Sequence, residues 1–261
     1  MTISDNINRI QKAKSDIKEV IEKNGISVGN ITIDGYANKI NQIAKTSKIF
    51  TDNVSVGRLE LNGWTYPMGM KSLENMFGGC YATYLDVSDW DTSNVENLKG
   101  VFSGTLYLDE LKGLETWDVS NVTDMSMMLS STFMRSRQDV LDLSTWNTSN
   151  VQNMELLFSY NTMLRDVNIS GWDMSNVQSA GGLFNHCFQL TSLQFGTGLK
   201  TSTSFVDCNN LTVESLLTII NGIADVKNTG VNPILTLGAT NLAKLSDEQK
   251  AIATAKGWTL A

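Results

Sequence analysis

The sequence predicts an α/β solenoid of about 26-residue coils with one short parallel strand per coil, flanked by N-terminal helices and a C-terminal α/β cap. Three observations predict it. A hexapeptide recurs four times, as Trp90-Asp91-Thr92-Ser93-Asn94-Val95, Trp117-Asp118-Val119-Ser120-Asn121-Val122, Trp146-Asn147-Thr148-Ser149-Asn150-Val151 and Trp172-Asp173-Met174-Ser175-Asn176-Val177. The tryptophans stand 27, 29 and 26 residues apart, with Trp64 a degenerate copy 26 before Trp90, and a period of this size marks a repeat architecture. Finally, helix-period segments bound the repeats on both sides.

Taken in order, residues 1–50 read as a helical segment. Ile7, Ile10, Ile17 and Ile21 occupy heptad a and d positions, with Lys14 at the remaining a site, and Gly25 sits where a C′ glycine ends a helix. Isoleucine at both a and d leans toward trimers or tetramers over dimers, a homotrimer among them. Fewer than three heptads are marginal alone, so oligomerisation and docking on another protein remain equal readings. A second short helix is expected from about Ile33 or Asp34 to Ile43.

Residues 51–210 hold the repeats. Alternating apolar pairs precede each tryptophan (Leu59/Leu61, Leu85/Val87, Leu141/Leu143, Val167/Ile169), the period-two mark of a strand. In the third coil the nearest residues are Leu111 and Leu114, an irregular spacing. A bulky apolar residue follows the tryptophan by twelve (Phe102, Leu129, Phe158, Phe184), or by thirteen at Phe77. Between them, pairs such as Val95/Leu98 and Val122/Met125 fit a helical or 3₁₀ turn. The recurring Asn94, Asn121, Asn150 and Asn176 are expected to point inward and bond turn backbone as a ladder. With Trp90, Trp117, Trp146 and Trp172 they are structural residues of the repeat.

Residues 211–261 read as a cap. Thr212 can N-cap a helix with Val213, Leu216, Leu217, Ile220 and Ile223 on one face. Ile234–Leu237 reads as a strand, Ser246-Asp247-Glu248-Gln249 as a capped helix start, and Trp258–Leu260 as a last strand.

Trp-Asp-x-Ser-Asn-Val followed by Met-x-x-x-Phe resembles the BspA-type leucine-rich-repeat surface proteins, over roughly residues 55–210. The resemblance implies a leucine-rich-repeat-like solenoid used for adhesion, of a kind found in bacterial surface antigens and some phage virion proteins. Ile17–Gly29 with Asp34–Ile40 resembles a helical module of tailed-phage virion proteins, and Leu237–Trp258 resembles the end of similar phage repeat proteins.

The totals narrow the function. The 261 residues carry a net charge of −7 and a pI near 4.8, which disfavours nucleic acid as a partner, since phosphate binding needs a basic patch. No apolar run approaches a membrane span, and the first residues show no signal peptide. Cys80, Cys187 and Cys208 have no metal-ligand spacing, and the lone His186 has no ligand partner. Asp91, Asp118 and Asp173 share a register position and are read as turn caps rather than a cation row. No catalytic motif is recognisable, so an enzyme is not expected and no cofactor or metal is called for.

The longest coil carries extra residues around Ser131–Gln138, and insertions into a repeat array are loops, often on the binding face. Phe133, Arg135 and Arg137 there, with Tyr107, Tyr160 and His186 at similar phases of neighbouring coils shortly after the phenylalanine position, are the candidate binding residues, for a host-surface glycan or protein. The expected function is a virion attachment protein (tail, fibre or capsid decoration) docked on other virion proteins through its N-terminal helices. A bacterial cell-surface adhesin is the alternative.

Overall fold

The computed structural model describes residues 70–136 and 138–261, together with the backbone of 58–60. Nine short strands are arranged as three separate parallel sheets: β1 (Arg58–Glu60), β2 (Tyr84–Asp86) and β3 (Glu110–Lys112); β4 (Val140–Asp142), β5 (Asp166–Asn168) and β6 (Ser192–Gln194); β7 (Thr203–Ser204), β8 (Ile234–Thr236) and β9 (Thr259–Leu260). Register follows the sequence period, with Leu85 opposite Leu111 and Leu141 opposite Val167, itself opposite Leu193. These central residues are buried while their neighbours turn outward, as alternation requires.

This arrangement corrects the expected α/β leucine-rich-repeat-like solenoid. The strands do not form one row with a strand for every coil but fall into three small sheets. Among the described residues, helix in the repeats is limited to one 3₁₀ turn at Leu114–Thr116, and the three α-helices, α1 (Val213–Gly222), α2 (Gly238–Leu242) and α3 (Asp247–Ala255), all follow residue 212. The N-terminal helices, with Ile7, Ile10, Ile17 and Ile21, lie outside the described residues.

The break between β3 and β4 has a local cause. Leu111 lies six residues before Trp117, one more than Leu85 before Trp90. The extra residue is taken up by Gly113, at φ 88°, and the 3₁₀ turn. A Cβ on Gly113 would lie 2.3 Å from the Ser88 backbone, so only glycine fits. Where β4 would have paired, the side chain of Gln138 accepts from the Leu111 amide at 3.0 Å.

The segment expected to be helical is instead a ribbon of consecutive turns. The amides of Leu73, Asn75, Phe77 and Gly79 donate to carbonyls of the next repeat, at 2.7–2.9 Å, while Met76, Gly78 and Cys80 donate three residues back. Parallel bridges Ser72–Asn97–Asp124–Asn153–Ser179 run along this ribbon through five repeats. A helix is prevented by two left-handed residues per repeat, four apart: Asn75, Gly100, Met127, Leu156 and Gly182 in one column, and Gly79, Gly104, Ser131, Tyr160 and His186 in the other.

The core lies between the strands and the ribbon. Phe77 stacks on Phe102 and Phe158 on Phe184, with centroids 5.4 and 4.9 Å apart, and Trp90–Trp117 and Trp146–Trp172 stack alongside. Each indole N–H of Trp117, Trp146 and Trp172 donates to the preceding repeat, at Val87, Leu114 and Leu143. At the far end α1 covers β6 and meets α3. Thr212 caps α1, and Ser246 with Gln249 forms a capping box on α3, where the sequence placed both.

Candidate functional site

The asparagines of the hexapeptide do not point inward. Asn121, Asn150 and Asn176 are exposed, and each donates to a carbonyl of the preceding repeat, at Ser93, Ser120 and Ser149. Asn94 is exposed in the same register. Inward polar bonding falls to a different column, three residues after the phenylalanine position: Thr105, Thr132, Asn161, Cys187 and Cys208. Thr132, Asn161, Cys187 and Cys208 donate to the carbonyl at the phenylalanine position one repeat earlier, namely Phe102, Leu129, Phe158 and Phe184. Asn161 is fully buried, and its Oδ1 also accepts from the amides of Thr132 and Phe133. Cys187 and Cys208 are thus small hydrogen-bonding core residues, and Cys80 is buried in the same register. Burial pushes all three thiols up, that of Cys187 to about 12, which disfavours the thiolate.

The carboxylates are likewise occupied locally. Asp91, Asp118 and Asp173 each accept from the amide two residues on, closing Asx turns, and Asn147 does the same for Ser149. Among the described residues no group of His, Cys, Asp and Glu is placed to hold a metal ion. No helix among them is long and apolar enough to cross a membrane.

What is exposed and unusual is the edge where the ribbon turns toward the strands. Tyr81 and Tyr107, 41% and 43% exposed, stack with centroids 5.2 Å apart, and the Arg135 guanidinium lies 5.4 Å over the Tyr107 ring. Two repeats further on, Tyr160 and Phe188, both 47% exposed, flank His186 at 4.4 and 5.5 Å with rings tilted by 40° and 56°. Asp207 Oδ2 accepts from the His186 amide and lies 3.3 Å from Nδ1. Met163, three residues after Tyr160, is also exposed.

Of the residues singled out in the sequence, Tyr107 and Arg135 come together in one group and Tyr160 and His186 in the other. Phe133 does not reach the surface. It is fully buried, with its amide donating to Asn161 Oδ1 in the polar column. Arg137 lies outside the described residues. Tyr81 and Phe188 were missed, although a signal existed: each follows a cysteine (Cys80, Cys187) in matching register.

Neither a curated protein nor a solved structure matches the chain. Residues 71–195 match the family model described as "Mycoplasma protein of unknown function, DUF285", a match compatible with the BspA-type repeats that the hexapeptide resembles.

Proposed function

We propose that the protein is a non-enzymatic attachment protein whose repeats hold a row of aromatic side chains toward a partner surface. The observation that carries this reading is two groups of exposed aromatic residues on the repeats, Tyr81 and Tyr107 with Arg135 and Tyr160 and Phe188 with His186. Tyrosine and arginine are among the residues most enriched where binding energy concentrates, and here they are exposed together. In the hexapeptide the tryptophans and asparagines serve packing and turn closure, which leaves this edge as the surface free to vary.

The setting we favour is a phage virion, as a tail, fibre or capsid component. It is supported by the resemblance of the N-terminal and C-terminal segments to virion proteins, with the N-terminal isoleucines as the docking or trimerising element. The second reading is a bacterial cell-surface adhesin, favoured by a family description that names Mycoplasma proteins. A mass-spectrometric inventory of purified phage particles separates the two: the chain is expected among virion proteins, and its absence there removes the virion setting. The attachment reading itself is tested by binding of the labelled full chain to bacterial cells. Tyr107→Ala/Tyr160→Ala is expected to lose most binding while melting like the wild type, and unchanged binding would sink the edge as the working surface.

A further inference from the structure

We infer that Cys187 and Cys208 are a redox-sensitive pair, which a small-molecule disulfide converts into a cystine that latches the C-terminal cap onto the repeats. Register places the two side by side. Phe184 and Phe205 stack with centroids 5.7 Å apart, the His186 amide donates to Asp207 Oδ2 at 3.0 Å, and the Thr212 amide donates to the Thr191 carbonyl at 3.1 Å. The members of each pair stand 21 residues apart, as do Cys187 and Cys208. The Phe184 carbonyl accepts from both cysteines, from the Cys187 amide at 3.2 Å and from the Cys208 thiol at 3.3 Å. Backbones stacked at ~4.8 Å fall inside the ~4.4–6.8 Å between Cα atoms that a disulfide spans. Burial first, and then the neighbouring Cys187 sulfur, push the Cys208 thiol up, a second mark of their closeness.

Both thiols are free and fully buried. Cys208 Sγ already points to the repeat that holds Cys187, whereas Cys187 Sγ points away from Cys208, to the Phe158 carbonyl at 3.1 Å. Closure therefore needs a rotation of the Cys187 side chain, with loss of one weak S–H bond. The step is thiol–disulfide exchange. One cysteine attacks a small disulfide such as oxidised glutathione and releases one small thiol. The other cysteine attacks the mixed disulfide and releases the second. Two electrons pass from the protein sulfurs to the small disulfide, and the two S–H protons end on the two small thiols. Burial confines the exchange to moments when residues 205–212 have lifted or have not yet seated.

The position gives the bond its consequence. Strand pairing does not cross from the repeats to the cap here, because β6 and β7 belong to different sheets. A Cys187–Cys208 bond spans that junction and closes a 21-residue separation, which restricts the unfolded chain.

The test opens the full-length chain in moderate urea with oxidised glutathione, returns it to buffer, and compares it with a sample kept in excess reductant. The oxidised sample is expected to yield a Cys187–Cys208 cross-linked peptide by mass spectrometry, with Cys80 still open to alkylation. It is expected to melt about 5–10 °C above the reduced sample. Cys208→Thr can keep the bond to Phe184, as Thr132 bonds Phe102, and is expected to fold and to melt alike with and without oxidant. Alkylation or a lasting glutathione adduct at Cys187 and Cys208, or pairing of either with Cys80, overturns the inference. A cross-link without the rise in melting temperature also overturns it, since the pair then latches nothing, and so does the same rise in Cys208→Thr.

Discussion

Asn161 concentrates more hydrogen bonding than any repeated asparagine of the hexapeptide. Its amide donates to Leu129 and Phe158 at 2.8 Å, and its oxygen takes two buried amides. Removing it strands several buried groups at ~1–3 kcal/mol each, so Asn161→Ala is expected to cost at least about 3 kcal/mol in urea denaturation. Asn150→Ala, which frees one exposed carbonyl, costs about 1 kcal/mol or less. Equal losses in the two variants would contradict the buried column. Acid behaviour belongs to this scale too. Burial works against the charge of Asp86, but Ser88 and Lys112 outweigh it and hold its carboxyl below the usual range. Ser144 does the same for Asp142. Both therefore stabilise the fold above the ordinary carboxylate pKa, and that stabilisation is lost as pH falls through their lowered values. Asp86→Asn is expected to flatten the acid limb of a stability–pH curve, and an unchanged limb would refute the assignment.

At the level of elements, strands and caps were legible and the ribbon was not. Leu85, Leu141 and Val167 alternate cleanly with polar neighbours, and Thr212 and Ser246 have the side chains that cap helices, so local chemistry alone located those pieces. The ribbon misled because Val95 and Leu98 are spaced as on a helix. The left-handed positions that forbid one are glycine in some repeats but Met127, Leu156 and Tyr160 in others. The buried polar column was invisible for a related reason: threonine, asparagine and cysteine share a bonding role but no composition. The edge was half legible, as Tyr107 and Tyr160 both follow the phenylalanine position closely, by five residues and by two, while Phe133 is buried. One element-level interaction is also testable. Lys256 Nζ donates to the carbonyls of Ile220, Asn221 and Ile223 at the end of α1, where a cation both caps and opposes the helix dipole. Lys256→Met is expected to lower stability by about 1–2 kcal/mol, measured by thermal melting. No change would mean that water serves those carbonyls equally well.

For the molecule as a whole, the two rows of inter-repeat bonding differ. The ribbon's bridges pass through the third repeat without a gap, from Asn97 to Asp124 to Asn153, whereas the strand row stops at β3 and resumes at β4. Gln138 closes the gap by side chain alone. Gln138→Ala is expected to speed amide exchange at Leu111 by about tenfold while Met125, bonded to Asn153 in the ribbon, is unaffected. Equal acceleration at both sites would mean the rows are not independent. An array stitched along one margin and notched on the other bends most easily at the notch. The Tyr81–Tyr107 and Tyr160–His186–Phe188 groups lie on opposite sides of it, so their separation is the distance that bending there changes. Spin labels on Glu110→Cys/Val140→Cys, which straddle the notch, should report a broader distance distribution than labels on Val140→Cys/Asp166→Cys within one sheet.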